Sequence, residues 1–197
     1  SNIKPHTIME KGDIQAMSQR ERDIYFLREA FKAARDLSQD ANLQTGAVIV
    51  SPSLEIISRG ANRVHFGLNE RYDGNEERVI LERPEKYCDL THAERDAAYV
   101  ANRKGISLVG CTLYATWTPC EPCGEIAMNN GIARFVTHQS TTDWYNKDAG
   151  SVKNRTDWAD SIVRAIEKLR RSGMEYECIS DPIGGVEFIF EDKIRAP

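Results

Sequence analysis

In the stretch TWTPCEPC, Thr116 to Cys123, two thiols stand three residues apart, each directly after a proline. Residues i and i+3 share one face of a helix, so Cys120 and Cys123 point the same way if a helix starts here. The pattern predicts that it does, with Thr118 at the cap, Pro119 at the first helical position and Glu121 at the third. Free backbone N–H groups and the positive dipole end favour thiolate over thiol at such a place. A C-x-x-C pair alone serves redox chemistry or binds zinc, and a metal site needs at least one more ligand.

The upstream stretch THAERDAA offers it. Thr91 and Glu94 have capping-box spacing, which predicts His92 in the first turn of its own helix. Two helix starts aiming His92, Cys120 and Cys123 at one point give three protein ligands and an open fourth position, the arrangement of a catalytic zinc site. Cys88 and Cys111 are the candidates for a closed fourth position, but neither has the paired spacing of a structural zinc site. Glu94 either closes a capping box or lies beside the metal's water, where a carboxylate relays protons without ligating.

The elements that must position these residues follow from periodicity. Ile24, Leu27, Ala30, Phe31, Ala34 and Leu37 fall at helical spacing behind a Ser18–Glu21 capping box. GAVIV (46–50) and EIISRG (55–60) read as a strand hairpin, its first strand apolar enough to be central. Residues 63–90 read as a long insertion and 91–103 as a helix. Next come strand 111–117, helix 121–130 and strand 132–138, then a polar loop over 139–154 and a helix over about 157–171. Strands over 174–179 and 186–190 close the pattern. Alternating strands and helices predict a layered α/β fold on a mixed sheet. The chain reads as one domain over 1–197, with an N-terminal extension (1–17) and a C-terminal tail (180–197).

Composition bounds the function. The 197 residues carry a net charge of −4 and a pI near 5.7, which leans away from polynucleotide binding. No apolar run approaches the roughly 20 residues that span a bilayer, and the first residues lack a hydrophobic targeting stretch. With five cysteines, an odd number, the expectation is a reducing, cytoplasmic setting without structural disulfides. Cys111 and Cys178 read as core thiols.

HAE (92–94), followed 24 residues later by PCEPC (119–123), resembles the H-x-E…P-C-x-x-C signature of the zinc-dependent cytidine/deoxycytidylate deaminase superfamily. The resemblance runs from about Gly46 to His138. It implies a three-layer cytidine-deaminase-like fold, a mixed central sheet of about five strands flanked by helices. It implies one catalytic Zn2+ held by His92, Cys120 and Cys123, with Glu94 moving protons to the ring nitrogen and the departing ammonia. It further implies that Asn62 contacts the substrate sugar, and that the Ala93 N–H and the Thr118 carbonyl hold the base edge beside Trp117. The 29 residues between Asn62 and His92, ending in RPEKYCDLTHAE, resemble the deoxycytidylate deaminase subgroup. That subgroup implies a free deoxynucleotide substrate, no polynucleotide or membrane partner, and a homo-oligomer, a hexamer being one form. Deamination of another base, free or in nucleic acid, and a catalytically silent zinc-binding regulatory subunit are the alternatives.

Departures are local. Thr118 replaces a usual Phe, and RVHFGLNERYD (63–73) replaces a Gly-Met-Pro-like segment that serves triphosphate regulation in allosteric relatives. For a phosphate, Arg63, Arg71, Arg78, Tyr145 and Lys147 are the candidates, Tyr145 resembling a family tyrosine near the phosphate. Cys88, His65 and His138 are the candidates for a second zinc site.

Overall fold

The structure, a computed structural model, describes residues 9–64, 82–83, 86–153 and 155–197, with Cys88 described by its backbone alone. A short α1 (Lys11–Ala16) leads into α2 (Gln19–Leu37), which starts at a complete capping box: the Glu21 N–H donates to Ser18 Oγ and the Ser18 N–H to Glu21 Oε2. Then come β1 (Gly46–Val50), β2 (Ile56–Ala61), β3 (Arg63–Val64), α3 (Lys86–Asp89), β4 (Leu90–Thr91) and α4 (Ala93–Arg103). The second half runs β5 (Thr112–Ala115), α5 (Glu121–Asn129), β6 (Arg134–His138), α6 (Gln139–Lys147), α7 (Ala159–Arg171), β7 (Glu175–Ile179), β8 (Phe188–Phe190) and β9 (Lys193–Arg195).

Five strands form one mixed sheet in the order β2-β1-β5-β6-β7. β1 is antiparallel to both neighbours, whereas β5, β6 and β7 run parallel. Parallel neighbours need crossover connections, which α5 and α7 supply. Every residue of β1 is buried, so its side chains serve two cores. Val48 and Val50 join Phe26, Leu27 and Phe31 of α2 on one face. Ala47 and Ile49 join Ala93, Ala97 and Ala101 of α4, Ala127 of α5 and Leu169 of α7 on the other. The result is three layers, helix, sheet and helices, as the sequence pattern and the resemblance led one to expect. No helix among the described residues is long and apolar enough to cross a membrane.

Four local readings differ. The stretch over 139–147 is a helix rather than a loop. QSTTDWYNK is poor in helix formers, so propensity gave no signal; tertiary contacts supply it, with His138 capping the Ser140 N–H and Thr141 Oγ1 donating to the Thr116 carbonyl at 2.6 Å. Within the C-terminal stretch 180–197, β9 is a strand that the pattern did not predict, pairing with β8 in a hairpin whose Phe188 and Phe190 sit in the α2-side core. Within 63–90, the ends form β3, α3 and β4, while 65–81 and 84–85 lie outside the described residues. Finally, neither site helix starts on its expected cap. Thr91 is in β4, paired with Arg63 of β3, so His92 takes the N-cap of α4; α5 begins two residues late, with Cys120 at its N-cap.

Helix α4 lies unusually close to the sheet. A Cβ on Gly60 would stand 2.3 Å from the Ala97 nitrogen and 2.4 Å from the Ala93 carbonyl oxygen, so only glycine fits against this alanine face. Buried Asp96 fixes the same turn by accepting from the Ala61 N–H at 3.0 Å and from Arg63 Nε at 2.9 Å. Gly60→Ala is therefore expected to force α4 outward and destabilise the protein by about 1–3 kcal/mol. That lowers the thermal midpoint by roughly 2–4 °C per kcal/mol. Gly150→Ala, where nothing lies within 4 Å of the added Cβ, is expected to change it little. Equal midpoints for the two variants would contradict the close-packing account.

Candidate active site

The N-termini of α4 and α5 converge. His92 Nδ1 lies 3.3 Å from Cys120 Sγ and 3.4 Å from Cys123 Sγ, and the two sulfurs are 3.3 Å apart. These three are the one group of ligand-type side chains among the described residues that lies close enough to share a metal ion. A tetrahedral zinc with ordinary Zn–S and Zn–N bonds separates such atoms by roughly 3.5–3.8 Å, so the set fits within a few tenths of an ångström. Cys123 lies in the first turn of α5 as expected, at its third position, whereas Cys120 and His92 sit at the N-caps of α5 and α4 rather than inside the first turn. Cys111 is buried away at a strand start and Cys178 is half-buried in β7.

Packing fixes this convergence from outside. The Glu121 N–H donates to Ser161 Oγ at 2.9 Å, and the Glu121 carboxylate pairs with Arg164 and Lys168 of α7. Trp158, at the N-cap of α7, sets its ring edge-on to the His92 imidazole with centroids 5.2 Å apart.

Electrostatics follow from burial and from the shared proton. The Cys123 hydrogen bond and the neighbouring His92 push the Cys120 thiol down to about 4, so it is the thiolate of the metal-free pair. Burial pushes the Cys123 thiol well above its ordinary value, and it keeps its proton. Burial alone would lower the His92 imidazole, but Cys120 and Glu94 together outweigh it and raise it. Glu94, buried, is raised by desolvation, with His92 opposing. It makes no capping box, since Thr91 is occupied in β4, and that leaves its carboxylate beside the cysteine pair.

A cavity of roughly 720 Å3, open mouth included, sits over this cluster. His92, Ala93, Glu94, Thr118 and Cys120 line it together with Asn62, Trp117 and Tyr145, so the residues expected to meet the base and sugar border one space. The structure sharpens three of them. Asn62 braces the wall: its Oδ1 accepts from Ser38 Oγ and the Thr45 N–H, and its Nδ2 donates to the Leu43 carbonyl. The Tyr145 hydroxyl donates to the Thr156 carbonyl, and the Arg155 guanidinium covers its ring at 3.5 Å. Trp117 packs against Tyr145 and Phe190 with a buried indole N–H that has no partner among the described residues.

Sequence reasoning missed other parts of the wall, including Asp40, Tyr87, Trp158 and Glu191. No arginine or lysine lines the described part of it. Of the phosphate candidates, Arg63 is buried against Asp96, Lys147 is exposed at the end of α6, and Arg71 and Arg78 lie outside the described residues. For the second zinc site, both His138 nitrogens already face Ser140 Oγ and the Asp181 carbonyl, while His65 and the Cys88 side chain lie outside the described residues.

Fold and site together define a three-layer α/β protein with a His-Cys-Cys metal-ligand set beside a buried carboxylate. Residues 20–139 match the family model of the cytidine and deoxycytidylate deaminase zinc-binding region, and the chain belongs to that family. Human deoxycytidylate deaminase is 29% identical over 112 residues, which cover 57% of this chain and 61% of the human one. The phage T2 deoxycytidylate deaminase is 30% identical over 122 residues, 61% of this chain and 60% of that one. The chain thus spans about three-fifths of the length of these relatives. Among solved structures, the dCMP deaminase of cyanophage S-TIM5 shares the fold at a TM-score of 0.55 and 20% identity, covering 83% of this chain and all of that one.

The proton arrangement of the metal-free cluster is testable. In chelator-treated protein, one thiolate is expected to persist in the ultraviolet absorbance down to about pH 5, far below an ordinary thiol, and to vanish in Cys120→Ser. Absorbance that rises only above about pH 8 would contradict a thiolate at Cys120.

Proposed function

We propose that this chain is a zinc-dependent hydrolytic deaminase acting on the cytosine base of a free deoxynucleotide, converting dCMP to dUMP, or a modified-base analogue, with release of ammonia. The observation that carries the reading is the convergence of His92, Cys120 and Cys123 beside the buried Glu94, with His92, Glu94 and Cys120 lining a single cavity. Support for the substrate comes from the family and from the relatives' names, the cyanophage enzyme having been solved with dCMP and dUMP. The acidic net charge supports a small substrate over a polynucleotide.

His92 and the two cysteines would hold the zinc, which when bound supplies a water activated near neutral pH. The remaining chemistry belongs to the chain's own groups. Glu94, kept from bulk water, takes one proton from the attacking water and gives it to the ring nitrogen next to the amine-bearing carbon, then takes a second from the new hydroxyl on that carbon and gives it to the amine, which leaves as ammonia. Its raised pKa suits that alternation, because the proton must both arrive and leave near neutral pH. Ala93, at the first position of α4, presents a backbone N–H without an intrahelical partner toward the base edge, and the Thr118 carbonyl accepts from the amine. Trp117 closes the stacking side, and Asn62 offers the remaining hydrogen of its amide to the sugar. The resemblance brings a homo-oligomer into the proposal.

Two measurements separate this reading from its rivals. Ammonia release is expected from dCMP, in preference to oligonucleotides or tRNA; turnover only on polymers would overturn the free-nucleotide reading, and none on any substrate would favour a silent subunit. Glu94→Ala is expected to keep one zinc per chain by metal analysis while losing at least about 100-fold in kcat. Loss of the metal in that variant would place Glu94 among the ligands instead.

A further inference from the structure

Glu191 is part of the cavity wall, and nothing above uses it. It is 2% exposed, it lines the cavity, and its Oε1 has no hydrogen-bond partner among the described residues. Arg155 Nη1 is 4.0 Å from that oxygen, beyond hydrogen-bond reach, while the other oxygen faces Arg83 Nη2 at 3.4 Å. A buried carboxylate oxygen left unsatisfied is costly and calls for a partner that arrives from elsewhere.

The backbone makes an independent case. Phe190 pairs with Lys193, so Glu191 and Asp192 form a two-residue hairpin turn with φ of 51° and 61°. Turns with both central residues at positive φ favour Asn and Gly, and a glutamate there is strained. Strain of this kind persists only where the surroundings enforce it. They do so here: the Asp192 N–H donates to the Asn42 carbonyl at 2.9 Å, and Ile189 exchanges bonds with the Gln44 backbone N–H and side chain. The turn is bolted to the 40–44 loop, and a strained residue thereby holds its carboxylate at the cavity.

That same loop carries the Asn62 amide on the Leu43 carbonyl. Glu191 and Asn62 therefore border the same side of the cavity, where the sugar lies on the reading above. Asp40 lines this side too, with Lys86 tied to its carboxylate at 2.6 Å. A buried carboxylate oxygen without a donor is an acceptor for one that the ligand brings. In dCMP the 5′ oxygen is phosphorylated and the 2′ position bears no oxygen, so the one free O–H on the sugar is the 3′-hydroxyl. We propose that Glu191 Oε1 accepts a hydrogen bond from the 3′-hydroxyl of the deoxyribose and so selects substrates that carry it. The inference rests on the deaminase reading.

The test compares dCMP with 2′,3′-dideoxycytidine monophosphate on the zinc-loaded full chain, reading kcat/KM by ammonia release. Glu191→Gln keeps the shape but weakens the acceptor, and Glu191→Gly removes it while relieving the turn. The expected result is a loss on dCMP of about tenfold for Gln and about ten- to hundredfold for Gly, with the dideoxy substrate unchanged, so that the preference disappears. A merely structural glutamate, neutralising Arg83 and Arg155, predicts the same loss on both substrates, and that outcome overturns the proposal. An unaltered protein that already treats the two substrates alike would overturn it as well and leave the deaminase reading standing. No turnover on either substrate would bring down the reading and this inference together.

Discussion

Three metal-type donors and a carboxylate, brought within a few ångströms of one another out of water, are the constraint on which this structure turns. Each is a polar group whose burial is unfavourable unless partners arrive with it. Without a metal, the cluster settles by parting charge from proton, a thiolate on Cys120 and a thiol on Cys123. With a metal, both sulfurs must be thiolates, and the ion takes over the compensation. The chain therefore has to hold the donors in place in either state, and most of the architecture serves that end.

It does so from the sheet outward. α4 is pressed onto the sheet at Gly60 and pinned at Asp96, which sets where its N-terminus, and so His92 and Glu94, can stand. α5 is clamped by α7 through Glu121 and Ser161, which sets Cys120 and Cys123. The antiparallel pairing of β1 with β5 and the parallel pairing of β5 with β6 fix the two supports relative to each other. On the far side of the sheet the C-terminal hairpin packs Phe188 and Phe190 into the α2 core and turns back at Glu191 to finish the cavity. The reactive wall thus comes from the middle of the chain, and its C-terminal hairpin completes the cavity.

Much of this was legible in the residues. The five central strands, the two site helices and the ligand set could be read because periodicity and committed side chains carry them, Ala47/Ile49 against Val48/Val50 being a pattern that only a doubly covered strand needs. The caps were misread because Thr-x-x-Glu fits a helix start wherever it occurs, and the competing strand pair Arg63–Thr91 depends on residues nearly thirty positions apart. α6 was hidden since its stability comes from His138, Thr116 and the aromatic packing of Trp144 and Tyr145 rather than from its own composition. Glu191 had no local signal at all. A Glu-Asp pair directly after a short apolar run is an unfavourable turn, and that mismatch was the only trace a sequence reading could have caught.

The central claim is that two helix starts hold one metal with three protein ligands and leave its fourth position to a light atom. X-ray absorption at the zinc edge of the zinc-loaded protein measures this directly. The account predicts two sulfur neighbours at about 2.3 Å, one histidine nitrogen at about 2.0–2.1 Å and a single further oxygen or nitrogen. A shell with three or more sulfurs, or with none, would contradict it.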